Sequence, residues 1–206
     1  STLYYCGAYN STIFSRCLGV VGSRRITPYG KKVIETIIPE IVDAGISIVS
    51  GFMNGVDACA HAVTLECGGK TIAVLPCGIR RIHPSNQFSL YAQIIDSGSL
   101  ILSEYPGKTP TARWTYPRRN RIVAALSDAL LVIEAAKNSG TLMTAGYARS
   151  FGKPLLVVPN SIFEDNGQGI LALLRSGAIA VGSAHEVLET FEHEGLLNDR
   201  RSGKNG

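Results

Sequence analysis

Residues 18–30 read LGVVGSRRITPYG, in which a short apolar run leads through a basic glycine loop into the start of a helix. The run at 18–21 contains no polar alternation, which is typical of a strand buried on both faces of a sheet. Thr27 followed by Pro28 predicts the cap and first turn of a helix, which we expect to end at Gly45. This order of strand, loop and helix is the unit that builds a parallel sheet.

The same order of elements recurs along the rest of the chain. Further strands are predicted at residues 46–49, 71–75, 100–103, 129–134, 155–158 and 178–181. Helices are predicted at residues 57–66, 87–96, 120–126, 140–151, 167–175 and 184–194. Because parallel strands need a crossover between them, this alternation predicts an α/β fold in which helices cover both faces of a mostly parallel sheet.

Length and composition fit one folded domain. The chain has 206 residues, of which 17% are charged and 22 are glycine. We assign residues 1–197 to the domain, with residues 1–16 as its N-terminal extension, and we predict that the polar residues 198–206 form a disordered tail. No apolar run reaches the roughly 18 residues of a membrane span, and no signal peptide is visible, so we expect no membrane partner.

Charge is unevenly distributed along the chain. Residues 1–121 carry 13 basic and 7 acidic side chains, a net charge of +6, whereas residues 122–206 carry 7 basic and 9 acidic ones, a net charge of −2. Two windows, residues 1–34 and 105–121, contain no acidic side chain. Basic charge without opposing acids predicts either a polyanionic partner or a solvated basic face.

The cysteines give no sign of a cross-linked or metal-binding domain. They number five, and none belongs to a CxxC motif. We therefore predict neither a disulfide framework nor a zinc site, and we expect the thiols to be buried and inert. Unpaired cysteines are typical of the reducing cytoplasm, which is where we expect the protein to act. The residues are Cys6, Cys17, Cys59, Cys67 and Cys77.

Three loops of glycine and small polar residues follow predicted strands, at residues 22–25, 50–57 and 138–141. The carboxyl ends of parallel strands form the ligand-binding edge of an open α/β sheet. Each loop offers backbone amides beside a helix N-terminus, an arrangement that binds phosphate, although glycine in such loops also serves simple tight turns. The candidate anion-binding residues are Gly22, Ser23, Arg24, Gly51, Gly55, Ser139, Gly140 and Thr141.

The basic stretch at 108–121 also carries two aromatic side chains, Trp114 and Tyr116. Aromatic rings that stack bases, next to cations on the phosphates, are how proteins hold single-stranded nucleic acid without reading its sequence. The alternative for Trp114 is that it packs a long loop against the core. The residue types at 108–121 alone do not decide between these interpretations.

Other titratable residues give weaker signals. Asp57 is expected to cap the helix that it begins, a catalytic role being the alternative. His61 is interpreted as a structural histidine, and Glu104 is expected to pair with a nearby arginine. The chain lacks the P-loop, dinucleotide-binding, HExxH and GxSxG motifs, and we predict neither a catalytic nor a metal site.

In combination, the motifs resemble those of the DprA/Smf family of DNA-processing proteins. The resemblance is carried by VGSRR and TPYG within 21–30, SG, GVD and AH within 50–61, SEYP at 103–106, YPRRNRI at 116–122, and EA and SGTLMTA within 134–145. These motifs occur in family order over nearly the whole chain. Relatives that carry an N-terminal helical domain and a C-terminal winged-helix-like domain extend beyond them.

The resemblance implies an extended Rossmann-like domain that binds single-stranded DNA, protects incoming strands and loads RecA recombinase during natural transformation. It also implies a homodimer with a contact surface near residues 169–181, no cofactor and no catalysis. Arg24 is the implied phosphate contact, and Lys108 is an implied DNA-contacting residue. The family's RNR motif corresponds to Arg119, Asn120 and Arg121.

Two other functions remain open. A phosphoribohydrolase-like enzyme of similar fold carries PGGxGTxxE at the equivalent loop, where residues 138–144 read NSGTLMT and lack the glutamate. A nucleotide-sensing or purely structural module is the third interpretation. Within the resemblance itself, residues 52–54 read FMN where relatives usually carry a cation, so one positive charge is missing beside the expected pocket.

Overall fold

The computed structural model describes residues 2–195, so the predicted tail at 198–206 lies outside the described residues. The strands are β1 (Tyr4–Gly7), β2 (Cys17–Val21), β3 (Ser47–Ser50), β4 (Thr71–Gly78), β5 (Leu100–Tyr105), β6 (Ala129–Val132), β7 (Leu155–Val157) and β8 (Ile179–Ala180). The α-helices are α1 (Pro28–Asp43), α2 (Val56–Glu66), α3 (Phe88–Asp96), α4 (Thr115–Leu126), α5 (Gly140–Ser150), α6 (Asp165–Arg175) and α7 (Ala184–His193).

The strands form a single sheet in the order β1-β5-β4-β3-β2-β6-β7-β8. Every neighbouring pair is parallel except β1 and β5, in which Tyr4 lies opposite Ser103 in an antiparallel register. The chain order reverses at β2, which lies between β3 and β6. A reversal of this kind leaves a crevice at the carboxyl ends of the strands, where open α/β sheets bind ligands.

Helices cover both faces of the sheet, as predicted. Helices α1, α2 and α7 contribute Ile38, Ala60 and Phe191 to one hydrophobic cluster. Helices α4 and α5 contribute Val123 and Ala145 to the cluster on the other face, which α6 completes. Strand β2 is buried along its whole length, which explains why it is apolar without alternation. The predicted extended Rossmann-like α/β fold is confirmed.

The predicted elements agree with the structure to within a few residues, with two exceptions. Helix α4 begins at Thr115, whereas the sequence predicted its start at residue 120. Pro117 therefore lies in the first helical turn, where a missing N–H costs nothing because it would have no partner inside the helix. Strand β1 was not predicted; it is a short, partly exposed edge strand that pairs only with β5.

The cysteines agree only in part with the sequence prediction. All five thiols are free, and Cys17 and Cys77 are buried, but Cys67 is exposed, so the expectation of burial is wrong there. Within residues 2–195, no helix is both long and apolar enough to cross a membrane.

Candidate functional site

A cavity of about 420 Å³ opens at the carboxyl ends of the strands, among the loops that follow β2, β3 and β6. We call it the switch cavity because it lies where the strand order reverses. Nine of the twelve predicted site residues line it: Gly22, Ser23, Arg24, Gly51, Arg119, Asn120, Ser139, Gly140 and Thr141. The three predicted phosphate-binding loops therefore converge on one site.

One wall of the cavity is the N-terminus of α5. Ser139 occupies the cap position, but its side chain makes no capping hydrogen bond and the first turn carries no acidic residue. Among residues 2–195, its buried Oγ has no hydrogen-bond partner. The first amides of a helix have no partners inside it, and their partial positive charge favours an anion. An added Cβ at Gly140 would meet only Asn120 Nδ2, at 4.0 Å, so a ligand can approach this backbone closely.

Arg24 is the exposed cation of the cavity. Its guanidinium carbon lies 5.2 Å from the centroid of the Tyr116 ring, and the Tyr116 hydroxyl is 2.9 Å from His83 Nε2. Within the described residues Arg24 makes no salt bridge. A guanidinium stacked on an aromatic ring is oriented while its N–H groups stay available to a ligand.

Arg119 and Asn120 line the cavity from α4. Arg119 is only 4% exposed; its Nη1 donates to the Val74 carbonyl at 2.9 Å and its Nε to Asn120 Oδ1 at 2.9 Å. Asn120 Nδ2 in turn donates to the Gly140 carbonyl at 3.3 Å. The pair therefore braces α4 against β4 and α5, and the nearly buried Arg119 places a positive charge in the lining of the cavity.

Asp57 brings a carboxylate into the cavity. The prediction that it caps α2 is wrong, because Gly55 holds the cap position and no side chain caps this helix. The Asp57 carboxylate instead accepts a hydrogen bond from the Met53 amide at 3.3 Å. An added Cβ at Gly51 would collide with the side chains of both Asp57 and Arg119. Burial raises the pKa of Asp57, and the nearby Arg119 guanidinium opposes that rise.

His61 supports the second loop from within the core. Its Nε2 lies 2.6 Å from the Gly51 carbonyl oxygen and its Nδ1 lies 2.6 Å from Thr71 Oγ1. Burial lowers the pKa of His61 to about 4, so the ring is neutral at pH 7. Because a carbonyl only accepts, Nε2 carries the proton and donates it to Gly51. The interpretation of His61 as a structural histidine is confirmed.

The glycines of the first two loops provide room for the protein itself. An added Cβ at Gly55, whose φ is +84°, would collide with the Ser23 carbonyl, and one at Gly22 would collide with Val56. The Val56 amide donates to the Ser23 carbonyl at 3.0 Å. The two loops are thus locked together, and Gly55 supports the cavity without lining it.

Comparison with known proteins now identifies the family. The family model for DNA recombination-mediator protein A matches residues 1–192. The chain belongs to this family. Protein Smf from Synechocystis sp. is 40% identical over 91% of this chain and 47% of its own length. The chain spans about half the length of the curated relatives it matches.

Solved structures agree with the family assignment. DNA processing protein A (DprA) from Streptococcus pneumoniae is similar with a TM-score of 0.84 and 34% identity, over 91% of this chain and 65% of that one. The Helicobacter pylori protein, whose structure is described for its single-stranded DNA binding mode, gives a TM-score of 0.82 and 31% identity, over 93% and 87%. The resemblance to DNA-processing proteins is confirmed.

Two cations of the DprA/Smf motifs lie outside the switch cavity. Arg121, of the RNR motif, forms a salt bridge of 2.6 Å with Glu104, of the SEYP motif, which confirms the expected pairing of Glu104. Lys108 is exposed and follows that motif in a loop tied to β4. The Gly78 amide, at the end of β4, donates to the Thr109 carbonyl of this loop at 2.8 Å. The family motifs therefore combine cavity residues with residues that shape the surface around it.

The cavity also bears on the enzyme alternative. The side chain of α5 that lines it one turn beyond Gly140 is Thr144, so a phosphoribohydrolase-like glutamate has no counterpart there.

The sequence interpretation missed the Asp57 carboxylate as a cavity group; its position two residues after Gly55, at the end of a predicted loop, was the available signal. Within residues 2–195 no cluster of potential metal ligands occurs.

Proposed function

We propose that this domain binds single-stranded DNA and holds its phosphates in the switch cavity. The observation that carries the proposal is the uncapped, acid-free N-terminus of α5 in the same cavity as Arg24. Unpaired helix amides and a stacked guanidinium together are suited to phosphate oxygens. The Helicobacter pylori relative, described for its single-stranded DNA binding mode, supports DNA as the source of those phosphates.

The proposed site residues have different roles. Arg24 contacts phosphate directly, and the α5 amides at Gly140 and Thr141 complete the anion site. The nearly buried Arg119 adds positive charge to the lining of the cavity. Lys108 is exposed and makes no salt bridge within the described residues, so it extends the basic path beyond the cavity. Arg121 contributes least, because Glu104 already neutralises it.

Family membership supports a wider proposal. We infer that the protein protects incoming strands in the cytoplasm and delivers them to RecA recombinase during natural transformation, by binding and without a cofactor or catalysis. We also infer a homodimer through residues 169–181. Support for that surface is that β8 is an edge strand on which Ile179 is 51% exposed, and exposed edges favour pairing with another chain.

The test of DNA binding is a salt titration of labelled oligo-dT and of a matched duplex, followed by fluorescence anisotropy. We expect the logarithm of the association constant to fall linearly with the logarithm of salt concentration, because bound phosphates release counterions. We also expect the single strand to bind more tightly than the duplex. Equal affinities, or release of adenine on incubation with AMP, would contradict the proposal.

Arg24 has a matched control in Arg25. Both side chains are exposed in the same loop, but only Arg24 lines the cavity. Arg24→Ala should weaken binding roughly tenfold or more, since it removes charge-assisted hydrogen bonds, and it should do so for all sequences alike. Arg25→Ala should change affinity much less. Equal losses in the two variants would show that a diffuse basic face, and not the cavity, holds the strand.

A further inference from the structure

Trp114 is exposed at the start of α4 and has no role in the switch cavity. It stands at the N-cap position of the helix, where its side chain makes no capping hydrogen bond, and it is 56% exposed. A tryptophan that only packed a loop onto the core would be largely buried. This exposure disfavours the packing interpretation of Trp114.

The indole is nevertheless held firmly. The Tyr105 ring meets it edge-on, with centroids 5.8 Å apart and planes at 74°, and the Arg118 guanidinium carbon lies 5.5 Å from its centroid. Tyr105 is itself fixed at the end of β5, because its carbonyl accepts from the Ile79 amide at 3.1 Å. A ring held in this way loses little conformational freedom when a ligand stacks on it.

Aromatic residues connect this position with the cavity. Tyr116 lies two residues beyond Trp114, and its ring is the one on which Arg24 stacks. The surroundings are basic, since residues 105–121 contain no acidic side chain, and Lys108 and Arg118 are both exposed. An apolar protein partner would favour a contiguous apolar patch, whereas an isolated indole among cations fits a stacked base with its phosphates.

We propose that Trp114 is a stacking platform for an unpaired base of a strand whose phosphate lies in the switch cavity. This inference rests on the proposed function and makes it more specific. Arg24 and the α5 amides hold the backbone, whereas Trp114 requires a base whose face is free. Because the bases of a duplex are stacked on one another, the platform would select single strands over double strands.

The protein carries its own probe, since Trp114 is the only tryptophan of the chain. Oligo-dT should quench its intrinsic fluorescence on binding, with the anisotropy of a labelled oligomer measured in parallel. An abasic oligomer of equal length has the phosphates without the bases. It should bind more weakly and cause little quenching. Arg24→Ala should need more oligo-dT to reach saturation but should show the same final quenching.

Substitutions separate stacking from simple loss of contact. Trp114→Ala should weaken oligo-dT binding by roughly 5- to 150-fold, the range for losing one stacked base, while its affinity for the abasic oligomer stays unchanged. Trp114→Phe should recover part of the loss. The control is Tyr9→Ala, because Tyr9 is also an exposed aromatic residue, at 62%. It lies two residues beyond Gly7, which pairs with Leu100 at the start of β5. Tyr9 is therefore at the edge of the sheet opposite to the carboxyl ends of the parallel strands.

The outcomes distinguish the platform from the function on which it rests. If labelled oligo-dT does not bind the wild-type protein, the proposed function fails and the platform fails with it. If the strand binds but tryptophan fluorescence is unchanged at saturation, single-stranded DNA binding stands and the platform is wrong. Equal losses on oligo-dT and on the abasic oligomer in Trp114→Ala would also overturn the platform, because they would assign Trp114 a role in shaping the loop.

Discussion

The N-termini of α1 and α5 lie at the same edge of the sheet and differ in what occupies them. At α1, the buried carboxylate of Glu134 accepts hydrogen bonds from the Thr27 amide, at 3.1 Å, and from the Thr27 hydroxyl. At α5, the Ser139 hydroxyl has no hydrogen-bond partner in the part of the chain that the structure describes, and no acidic residue lies in the first turn. The chain supplies an anion to one helix and leaves the other available to a ligand.

This difference shows that a helix N-terminus at the end of a strand is not by itself a binding site. Both helices follow strands of the same parallel sheet, and both have partial positive charge at their first turn. Glu134 fits so closely beneath α1 that an added Cβ at Gly30 would collide with its carboxylate. Glu134 and Ser139 both follow β6. The same loop therefore supplies the carboxylate at the N-terminus of α1 and the cap residue at the N-terminus of α5.

An acidic residue added at the N-terminus of α5 should make this terminus resemble that of α1, which already has a carboxylate. Gly140→Asp would place a carboxylate in the open space at the first turn. We expect oligo-dT binding to fall roughly 100-fold, because like charges brought together cost several kcal/mol. The free energy of unfolding should rise by about 0.3–1 kcal/mol, because an acid at a helix N-terminus is stabilising. Anisotropy and thermal unfolding measure the two effects.

Gly140→Asn is the matched control, since it adds nearly the same volume without the charge. It should retain most of the affinity that Gly140→Asp loses. A similar loss in both variants would mean that bulk, and not charge, excludes the strand. A full-strength complex with Gly140→Asp would place the phosphates elsewhere on the protein.

The fold was predictable because its signals are local and agree with one another. The unbroken apolar runs at β2 and β6, and the Thr27–Pro28 start of α1, each specify their own element. Strand β1 was missed because it forms only by pairing with β5, a partner that lies about one hundred residues away in the chain. The start of α4 was missed because Pro117 is compatible both with a loop and with a first helical turn.

The sequence predicted which residues form the site better than it predicted what each residue does there. The sequence placed Arg24, Arg119 and Gly140 at one edge of the sheet, and the cavity unites them. It did not show that Arg119 would be 4% exposed, because burial depends on how α4 packs against the strands. It also did not show that Asp57 would turn into the cavity, since loop conformation depends on contacts with Met53 and with the first loop.

A substitution of Glu134 tests the N-terminus of α1, where the carboxylate is already in place. Glu134→Gln would keep one oxygen to accept from the Thr27 amide, but it would turn an N–H towards the Thr27 hydroxyl, which then loses the acceptor to which it donates, and it would replace charge-assisted hydrogen bonds by neutral ones. We expect the free energy of unfolding to fall by about 2 kcal/mol, which corresponds to a fall of roughly 4–8 °C in Tm for a domain of this size. Oligo-dT affinity, measured well below Tm, should be nearly unchanged. A large loss of affinity with normal stability would show that Glu134 belongs to the binding site.

The smallest expected effect concerns Asp57, which supplies the one carboxylate that lines the switch cavity among the described residues. Because burial raises its pKa, this carboxyl becomes neutral at a higher pH than an ordinary aspartate as the pH falls. Neutralisation removes its repulsion of a bound phosphate, so affinity should rise as pH falls towards that raised pKa. At pH values above that raised pKa, where the carboxyl is ionised, Asp57→Asn should bind oligo-dT about fivefold more tightly than the wild type, equivalent to about 1 kcal/mol, and it should lose this part of the pH dependence.

The control for Asp57→Asn is His83→Gln. Arg24 stacks on the Tyr116 ring, and His83 hydrogen-bonds the Tyr116 hydroxyl. Burial and the nearby arginines lower its pKa, so its protonation in acid would also tighten binding, by adding a cation. His61, beneath the second loop, gains a proton only near pH 4. His83→Gln should therefore keep the Asp57-dependent rise in affinity. If the rise disappears in His83→Gln and persists in Asp57→Asn, the histidine is the coupled group, and the carboxylate of the open site does not oppose the strand.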